Sequence, residues 1–331
     1  MSNNKVLPWR HSPIDPALFK ELSKRSDAKA LAHLLPHIAL IILLGIISYQ
    51  AFGALPLYFS IPIYFVYTNV LIFIGLSSGL HEMTHGTVFK TKALNTFFMK
   101  LISFFTWGDY VFYRTSHMKH HQYTAHHGLE MEVELPMQLR LRNYLYSLVG
   151  NPYCTPKTVK DIARRARGKI EGEWEEMIFP EDRPSKRREL IMWDRTLIIG
   201  HLILALVIAI SGQWLLLLYL TFPMFFSGVA SYTITLSQHT GLQPDIADSR
   251  KCCRSVKVNP LYEFLYWNMN YHIEHHMYAS IPFYNLKKLS KAIEGDLPER
   301  KSLYASYKEM IAIQKRQKIE PGYYYVNQCP E

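Results

Sequence analysis

Two long stretches of this chain are almost without charged side chains. Residues 31–89 contain no Lys, Arg or Asp and only one Glu, Glu82, and residues 196–244 contain no charged residue at all. A helix that crosses about 30 Å of hydrocarbon needs roughly 20 apolar residues. Each stretch is therefore long enough for two crossings. This pattern excludes an ordinary soluble domain and predicts an all-α fold, an integral membrane helical bundle.

The uncharged stretches predict four transmembrane helices in two hairpins. The expected spans are residues 34–51, 56–78, 196–211 and 214–236. Neither turn between paired spans carries a charge, so every Lys and Arg falls on one side, which the positive-inside rule makes cytoplasmic. Both termini are then cytoplasmic, at the bacterial inner membrane or, in a eukaryote, at the endoplasmic reticulum. The apolar segment 94–113 is interrupted by Lys100 and Asp109, and we expect a re-entrant or interfacial helix pair there.

This topology divides the chain into three parts. Residues 1–30 form a cytosolic N-terminal segment, residues 31–290 the membrane domain, and residues 291–331 a cytosolic tail. Within the membrane domain, residues 79–195 and 237–290 form a cytosolic cap. No signal peptide is visible, because the first apolar run follows polar residues of both charges. The chain has only four cysteines, all in its cytosolic parts, and their spacing matches no zinc motif.

The net charge of +10 also lies in the cytosolic parts. Residues 138–195 hold 13 Lys or Arg against 9 Asp or Glu, with Trp174, Ile178 and Trp193 interleaved. Such a surface fits contact with anionic lipid headgroups, and it also fits docking of an acidic electron carrier. Nucleic-acid binding is not expected, because the basic residues are scattered beside membrane spans.

Histidines occur in three clusters at helical spacing. His81 and His85 stand at i, i+4 in "HEMTHG", and "HMKHH" (117–121) and "HIEHH" (272–276) both place histidines at i, i+3 and i+4. Residues three and four apart share a helix face, so each cluster directs its imidazoles to one place. The hairpins return the chain to the same membrane face each time. Eight converging imidazoles exceed the four to six ligands of one ion, and they predict two metal ions of the zinc, copper, iron or nickel type.

Two other functions fit parts of this pattern. "HEMTH" matches the H-E-x-x-H signature of zinc metalloproteases, in which the glutamate is the general base. That interpretation leaves both H-x-x-H-H clusters unexplained. A metal transporter or store would carry ligands within its spans, where only His37 and His201 occur.

The order of the boxes, H-x3-H, H-x2-H-H and H-x2-H-H, with one helical hairpin before the first and another before the third, resembles the membrane fatty acid desaturase and hydroxylase superfamily. The similarity covers residues 35–290 and includes "MYASIPFYNLKKL" after the third box. It implies a non-haem di-iron centre, O2 as co-substrate, and an acyl or other lipid-like substrate. His239 in "LSQHTG" resembles the isolated extra histidine of that superfamily. The implied ligands are His81, His85, His117, His120, His121, His239, His272, His275 and His276.

The resemblance also indicates which metal and which reactions to expect. Breaking an unactivated C–H bond needs a strong oxidant, so the metal must be redox-active, which zinc is not. We predict fatty acyl desaturation, with hydroxylation and carotenoid-type ketone formation as alternatives on the same site. Lipid would enter between the spans, near Phe65, Tyr67, Phe73 and Tyr232. The ends of the chain are too short for a cytochrome b5-like extension, so a separate ferredoxin, rubredoxin or cytochrome is expected to supply electrons.

Neighbours of the ligands are expected to orient the imidazoles through their second ring nitrogen. The candidates are Glu82, Asp109, Asn270 and Glu274, each of which is also compatible with an ordinary polar residue on a helix face. His126 and His127 precede Gly128, which is expected to terminate the helix of the second box. We therefore expect these two to be orienting or surface groups and not ligands. The acidic run 128–136, "GLEMEVELP", resembles a run after the second box in some bacterial members, and no role is predicted for it.

Overall fold

The computed structural model describes residues 6–150 and 154–330 and is mostly helical. Residues 1–5 of the expected N-terminal segment, residue 331 of the expected tail and the side chain of Cys154 lie outside the described part. The helices are α1 (Pro16–Leu22), α2 (Asp27–Ala54), α3 (Leu57–Ile72), α4 (Gly79–Thr84), α5 (Lys92–Phe105), α6 (Tyr110–Tyr123), α7 (Leu141–Val149), α8 (Cys154–Ala166), α9 (Glu173–Ile178), α10 (Pro184–Ser211), α11 (Leu217–Leu220), α12 (Val229–Ser237), α13 (Ser249–Cys252), α14 (Pro260–Leu265), α15 (His272–Met277), α16 (Leu286–Ala292) and α17 (Leu303–Gln317).

Three helical stretches of the described residues are long and apolar enough to cross a membrane: Asp27–Ala54, Leu57–Thr84 and Pro184–Ser211. They contain three of the four expected spans. The first two pack against each other as the predicted hairpin. Leucine and isoleucine side chains of α2 and α10 remain largely exposed, for example Ile46 and Leu202. Apolar side chains left uncovered over the length of a long helix indicate contact with lipid.

Residues 214–236 do not form the single helix expected for the fourth span. The chain makes 3-10 turns at Trp214–Leu216 and Pro223–Phe225, with the four-residue α11 between them, and only then enters α12. Pro223 cannot donate a backbone hydrogen bond, which interrupts the helix. Gly228 allows a close approach to α3, because a Cβ there would lie 2.7 Å from Ile72 Cδ1. The structure thus replaces the fourth span by a broken segment.

The helix α3 continues into the first histidine box through a π-helical turn, Phe73–Ser77. The Ser78 hydroxyl donates to the Phe73 carbonyl in this turn. Gly79 is required there by space, since a Cβ would lie 2.5 Å from the carbonyl oxygen of Ile74. The turn redirects α4, so that His81 and its neighbours face the centre of the cap.

The segment 94–113 forms parts of two helices, α5 and α6, of 14 residues each. Asp109 begins α6, because its carboxylate accepts hydrogen bonds from the amides of Val111 and Phe112, both at 3.1 Å. Asp109 also pairs with Arg165 of α8 at 3.1 Å, and Arg165 contacts Asp194 of α10 at 2.9 Å. This buried ionic cluster holds α6, α8 and α10 together.

The C-terminal residues pack on the cap. Two short parallel strands, β1 (Val256–Lys257) and β2 (Lys301–Ser302), pair in the register Val256 to Lys301. Arg254 forms an ion pair with Glu309 of α17 at 3.1 Å. The segment between α13 and α15 is thereby fixed on the side that carries the third histidine box.

Candidate metal centre

All three histidine boxes and His239 meet in the cap. The first box lies on α4, with His85 directly after its last residue, the second lies on α6, and the third lies on α15. His239 follows α12 by two residues. Their side chains form two adjacent groups, defined here as group A (His81, His85, His117, His121 and His275) and group B (His239, His272, His276 and Cys253); within each group the possible ligand atoms all lie within 4.8 Å of one another.

Four Nε2 atoms of group A form a closed ring. The successive Nε2–Nε2 distances are 2.9 Å for His81–His275, 3.2 Å for His275–His121, 3.0 Å for His121–His117 and 3.1 Å for His117–His81. Neutral imidazoles cannot satisfy such a ring with hydrogen bonds, because a nitrogen that carries hydrogen cannot also accept one. The ring therefore directs nitrogen lone pairs at a common centre.

Group B also brings imidazole nitrogens close together, with three histidines in place of five. The Nε2 atoms of His272 and His239 are 2.9 Å apart. His276 Nε2 is buried and has no hydrogen-bond partner among the described residues. The ring of His276 lies 4.4 Å from that of His272 and 5.3 Å from that of His239, measured between centroids. Cys253 supplies the fourth atom of the group, and no spacing in the sequence pointed to it.

Hydrogen bonds at Nδ1 leave Nε2 available as a ligand atom. His239 Nδ1 donates to the Cys252 carbonyl at 2.9 Å, and His276 Nδ1 to the Thr124 hydroxyl at 3.1 Å. In group A, His117 Nδ1 donates to Glu132 at 2.7 Å. Burial lowers the pKa of His239 to about 3. A neutral ring with a free Nε2 lone pair is the form that binds a metal ion.

His120 lies between the two groups and belongs to neither. Its ring centroid is 5.1 Å from that of His239 and 5.0 Å from that of His276. Its Nδ1 lies 3.3 Å from Glu130. Burial lowers the pKa of His120. The hydrogen bond to Glu130 and the negative charges of Glu132 and Glu130 raise this pKa by more than burial lowers it, so it lies above its ordinary value.

The acidic run 128–136, for which no role was predicted, provides two carboxylates that contact box histidines. Glu132 accepts from His117 and from the Ser116 hydroxyl, at 2.7 and 2.5 Å. Glu130 is buried and accepts from His120 and three backbone amides. Their alternation with apolar residues could have indicated a folded loop with inward carboxylates. The contacts of Thr124 and Tyr113 with box histidines were also not predicted from the sequence. Tyr113 Oη lies 2.8 Å from His81 Nδ1.

The four orienting residues proposed from the sequence have different positions. Glu82 is fully buried, and its Oε1 lies 3.0 Å from His275 Nδ1. The other three have partners other than an imidazole: Glu274 accepts from the Ser255 hydroxyl at 2.6 Å, Asn270 donates to the Val256 carbonyl at 3.2 Å, and Asp109 pairs with Arg165. These three act on the backbone around the site and on helix packing.

His126 and His127 lie outside both groups. The helix α6 already ends at Tyr123, five residues before Gly128, because Thr124 and Ala125 leave helical geometry, with φ of +56° at Ala125. His126 is buried near the Tyr123 carbonyl, and exposed His127 pairs with Asp245 at 2.7 Å. The structure thus places these two apart from the box histidines, and their exclusion from the ligand set stays a prediction.

An apolar cavity of about 440 Å³ reaches the histidines from the side of the spans. Its far part is lined by Ile72, Leu76, Met224 and Tyr232. His81, His117, His120, His239 and His272 line its other end. Of the four aromatic residues suggested for a lipid path, Tyr232 lines this cavity, while Tyr67 instead donates to the Tyr219 carbonyl at 3.1 Å. The cavity has the size and the apolar lining of a small-ligand site.

The donor set fits metal ions better than it fits a polar network. Imidazole nitrogens that bind the same ion at about 2.1 Å lie about 3 Å from one another. Neighbouring nitrogens of the group A ring have this spacing. In group B, the buried His276 Nε2 without a hydrogen-bond partner among the described residues also favours a metal ligand. The two groups would therefore hold one ion each.

Comparison with known families supports this chemistry. Residues 60–308 match the family model described as "Fatty acid desaturase". A search of curated proteins found no similar sequence. The matched range contains all three histidine boxes, His239 and both groups.

Proposed function

Because the chain belongs to the fatty acid desaturase family, which implies a lipid-modifying oxidoreductase, we propose that it uses two iron ions and O2 to introduce a carbon–carbon double bond into a fatty acyl chain. The observation that carries this proposal is the apolar cavity, which is lined by four histidines of the three boxes and by His239. An alkyl chain in this cavity would present its C–H bonds directly to the metal centre.

The residues of the chain have separable roles in this reaction. Group A and group B, with His120, would hold the ions, and bound iron would supply the oxidant that removes hydrogen from an unactivated carbon. Glu132 accepts from His117 Nδ1 and so holds that ring in the ligating tautomer, while Glu82 Oε1 lies 3.0 Å from His275 Nδ1. Ile72, Leu76 and Met224 hold the alkyl chain and exclude water. The substrate loses two hydrogens; O2 becomes two waters with these hydrogens, two electrons from a donor and two further protons.

The predicted placement in the membrane becomes part of this proposal. The three apolar stretches suggest membrane association, and we propose that the broken segment 214–236 completes the second hairpin. Helix α7 exposes Leu141, Leu145 and Val149 between basic residues. An apolar face flanked by positive charge favours contact with the lipid headgroup region. This supports the membrane-surface interpretation for at least this part of the basic region 138–195.

A separate electron donor remains part of the proposal. A surface cleft of about 1110 Å³ extends inward to His121 and His276, the histidines of group A and group B that lie nearest to it. Its rim carries Arg10, Lys119 and Arg183, with Glu181 and Asp182 close by. We propose that the donor approaches at this cleft, on the opposite side of the histidines from the apolar cavity.

The zinc protease interpretation is disfavoured by the position of Glu82. A protease glutamate must reach a metal-bound water, whereas Glu82 is fully buried with its Oε1 3.0 Å from His275. Hydroxylation remains the second candidate, because the same cavity and ligands would serve either outcome.

Mass spectrometry of lipids from a host that expresses the chain with an adequate donor tests the proposal. Wild type should yield fatty acyl products lighter by the mass of two hydrogens. The variant His275→Ala should yield none, and His127→Ala, in an exposed histidine outside both groups, should match wild type. Products heavier by one oxygen would favour hydroxylation, and unchanged lipids with wild type would contradict both.

A further inference from the structure

Group B contains a sulfur atom that the imidazole pattern does not require. Cys253 follows α13 and is fully buried. Its Sγ lies within 4.8 Å of a ring nitrogen of His239, His272 and His276, and those nitrogens are equally close to one another. Group A contains histidine only. The two halves of the proposed metal centre are therefore chemically different.

Hydrogen bonds fix the backbone at Cys253 to both elements that carry the group B histidines. The amide of Arg254 donates to the Gln238 carbonyl at 2.7 Å, directly beside His239. The Ser255 hydroxyl accepts from the amide of Ile273 at 2.9 Å, directly beside His272. The Cys253 amide itself donates to the Ser249 carbonyl at 2.9 Å. Cys253 is thus held between the two elements by short contacts on either side.

The charges around the two groups also differ. In group A, carboxylates of Glu132 and Glu82 lie at 2.7 and 3.0 Å from Nδ1 of His117 and His275. In group B, the corresponding partners are neutral: a carbonyl for His239, the side-chain amide of Gln238 for His272, and a hydroxyl for His276. The Glu130 carboxylate lies 3.3 Å from His120 Nδ1 and reaches this group only through that ring. A divalent ion buried in group B would therefore gain most from an anionic ligand in direct contact.

We propose that Cys253 ligates the metal ion of group B as a thiolate, together with His239, His272 and His276. This inference rests on the proposed metal centre and deepens it. On binding, the ion displaces the thiol proton, which leaves to solvent, and a metal–sulfur bond forms with no change in oxidation state. The thiolate offsets one of the two positive charges of the ion. It also makes group B a softer site than group A.

Cobalt substitution tests the proposal, because a cobalt–thiolate bond gives an intense near-ultraviolet charge-transfer absorption that cobalt–imidazole bonds lack. The full-length protein is freed of metal with a chelator and titrated with Co²⁺. Wild type should develop this absorption, and Cys253→Ser and Cys253→Ala should lose it while still binding Co²⁺ in group A. The matched control is Cys252→Ala, since Cys252 Sγ is buried 3.8 Å from Cys253 Sγ but outside group B. It should keep the absorption.

X-ray absorption of the iron-loaded wild type gives a second measurement that does not depend on any variant folding. A sulfur scatterer at about 2.3 Å from the metal is expected. The inference is overturned if wild type binds two ions without this scatterer, or if the cobalt absorption survives in Cys253→Ala. In the first case the proposed centre stands with histidine alone, and in the second a sulfur other than that of Cys253 ligates the ion. Failure to bind any ion would overturn the proposed function as well.

Discussion

Replacement of Glu130 by Gln tests how the chain holds His120 between the two groups. The Glu130 carboxylate is fully buried and accepts four hydrogen bonds. One oxygen accepts from His120 Nδ1 at 3.3 Å and from the amide of Ala125 at 2.9 Å. The other accepts from the amides of Glu132 and Val133 at 2.7 and 3.0 Å. Three of the four partners are backbone N–H groups, and they reach both oxygens, so both oxygens must act as acceptors.

A glutamine cannot meet this demand, because one of its two terminal atoms is a donor. If the amide nitrogen faces Glu132 and Val133, two buried backbone N–H groups lose their acceptor; if it faces Ala125 and His120, the Ala125 N–H loses its acceptor while His120 can change tautomer. Each such loss costs about 1–3 kcal/mol, so Glu130→Gln should destabilise the protein by at least that amount. Glu132→Gln should cost much less, since its partners are His117 and a Ser116 hydroxyl that can rotate to accept from an amide N–H.

Thermal unfolding of the metal-free, full-length protein in detergent measures this difference without contribution from bound ions. The expected order of apparent midpoints is wild type close to Glu134→Gln, then Glu132→Gln, then Glu130→Gln well below. Glu134 is the matched control, because it is exposed on the same loop. A midpoint for Glu130→Gln equal to that of Glu134→Gln would refute the hydrogen-bond account of this loop.

Three further predictions follow from other parts of the structure. Gly200→Val should lower the melting temperature in detergent, by overpacking worth about 1–3 kcal/mol, because a Cβ at this position would lie 2.4 Å from the Phe104 ring; an unchanged melting temperature would contradict the packing of α10 on α5. A cysteine in place of exposed Ala54 should react with a membrane-impermeant reagent in intact cells, and reaction only after permeabilisation would reverse the proposed topology. His239→Ala should lose bound iron while His127→Ala retains it, as measured by elemental analysis of the purified variants; equal iron contents would remove His239 from the ligand set.

The sequence predicted the helical membrane class and the convergence of the histidines because both depend on short-range patterns. Uncharged length identifies α2, α3 and α10, and the i, i+3, i+4 spacing identifies a shared helix face. The convergence of α4, α6 and α15 is expected from the proposed topology, which returns each box to one side. The family membership predicted from the boxes is confirmed by the match over residues 60–308.

The remaining features depend on contacts that no local pattern encodes. The break in residues 214–236 results from Pro223 and from the close approach of Gly228 to Ile72. Hydropathy does not register such a break, because every residue involved is apolar or small. Cys253 joins group B through hydrogen bonds of its neighbours to Gln238 and Ile273, which are distant in the sequence from one another.

The side chains that contact the second ring nitrogen of the box histidines were only partly predictable, because they too depend on the packing of distant elements. Glu82 lies beside a box histidine in the sequence and contacts a histidine of another box in space. Glu274 also lies next to a histidine of its box, but it accepts from the Ser255 hydroxyl instead. Adjacency along a helix places a carboxylate on a neighbouring face, and only the packing of a second element decides what that face meets.

The metal content of the purified full-length protein tests the central claim most directly. Groups A and B, each gathered around its own centre, should bind about two metal ions per chain, and we expect iron with little zinc because the proposed oxidation needs a redox-active metal. Elemental analysis by mass spectrometry, with the protein concentration from amino-acid analysis, provides the ratio. About two irons per chain is the result that this account predicts. One zinc per chain and no iron would contradict it and return "HEMTH" to the zinc-protease interpretation.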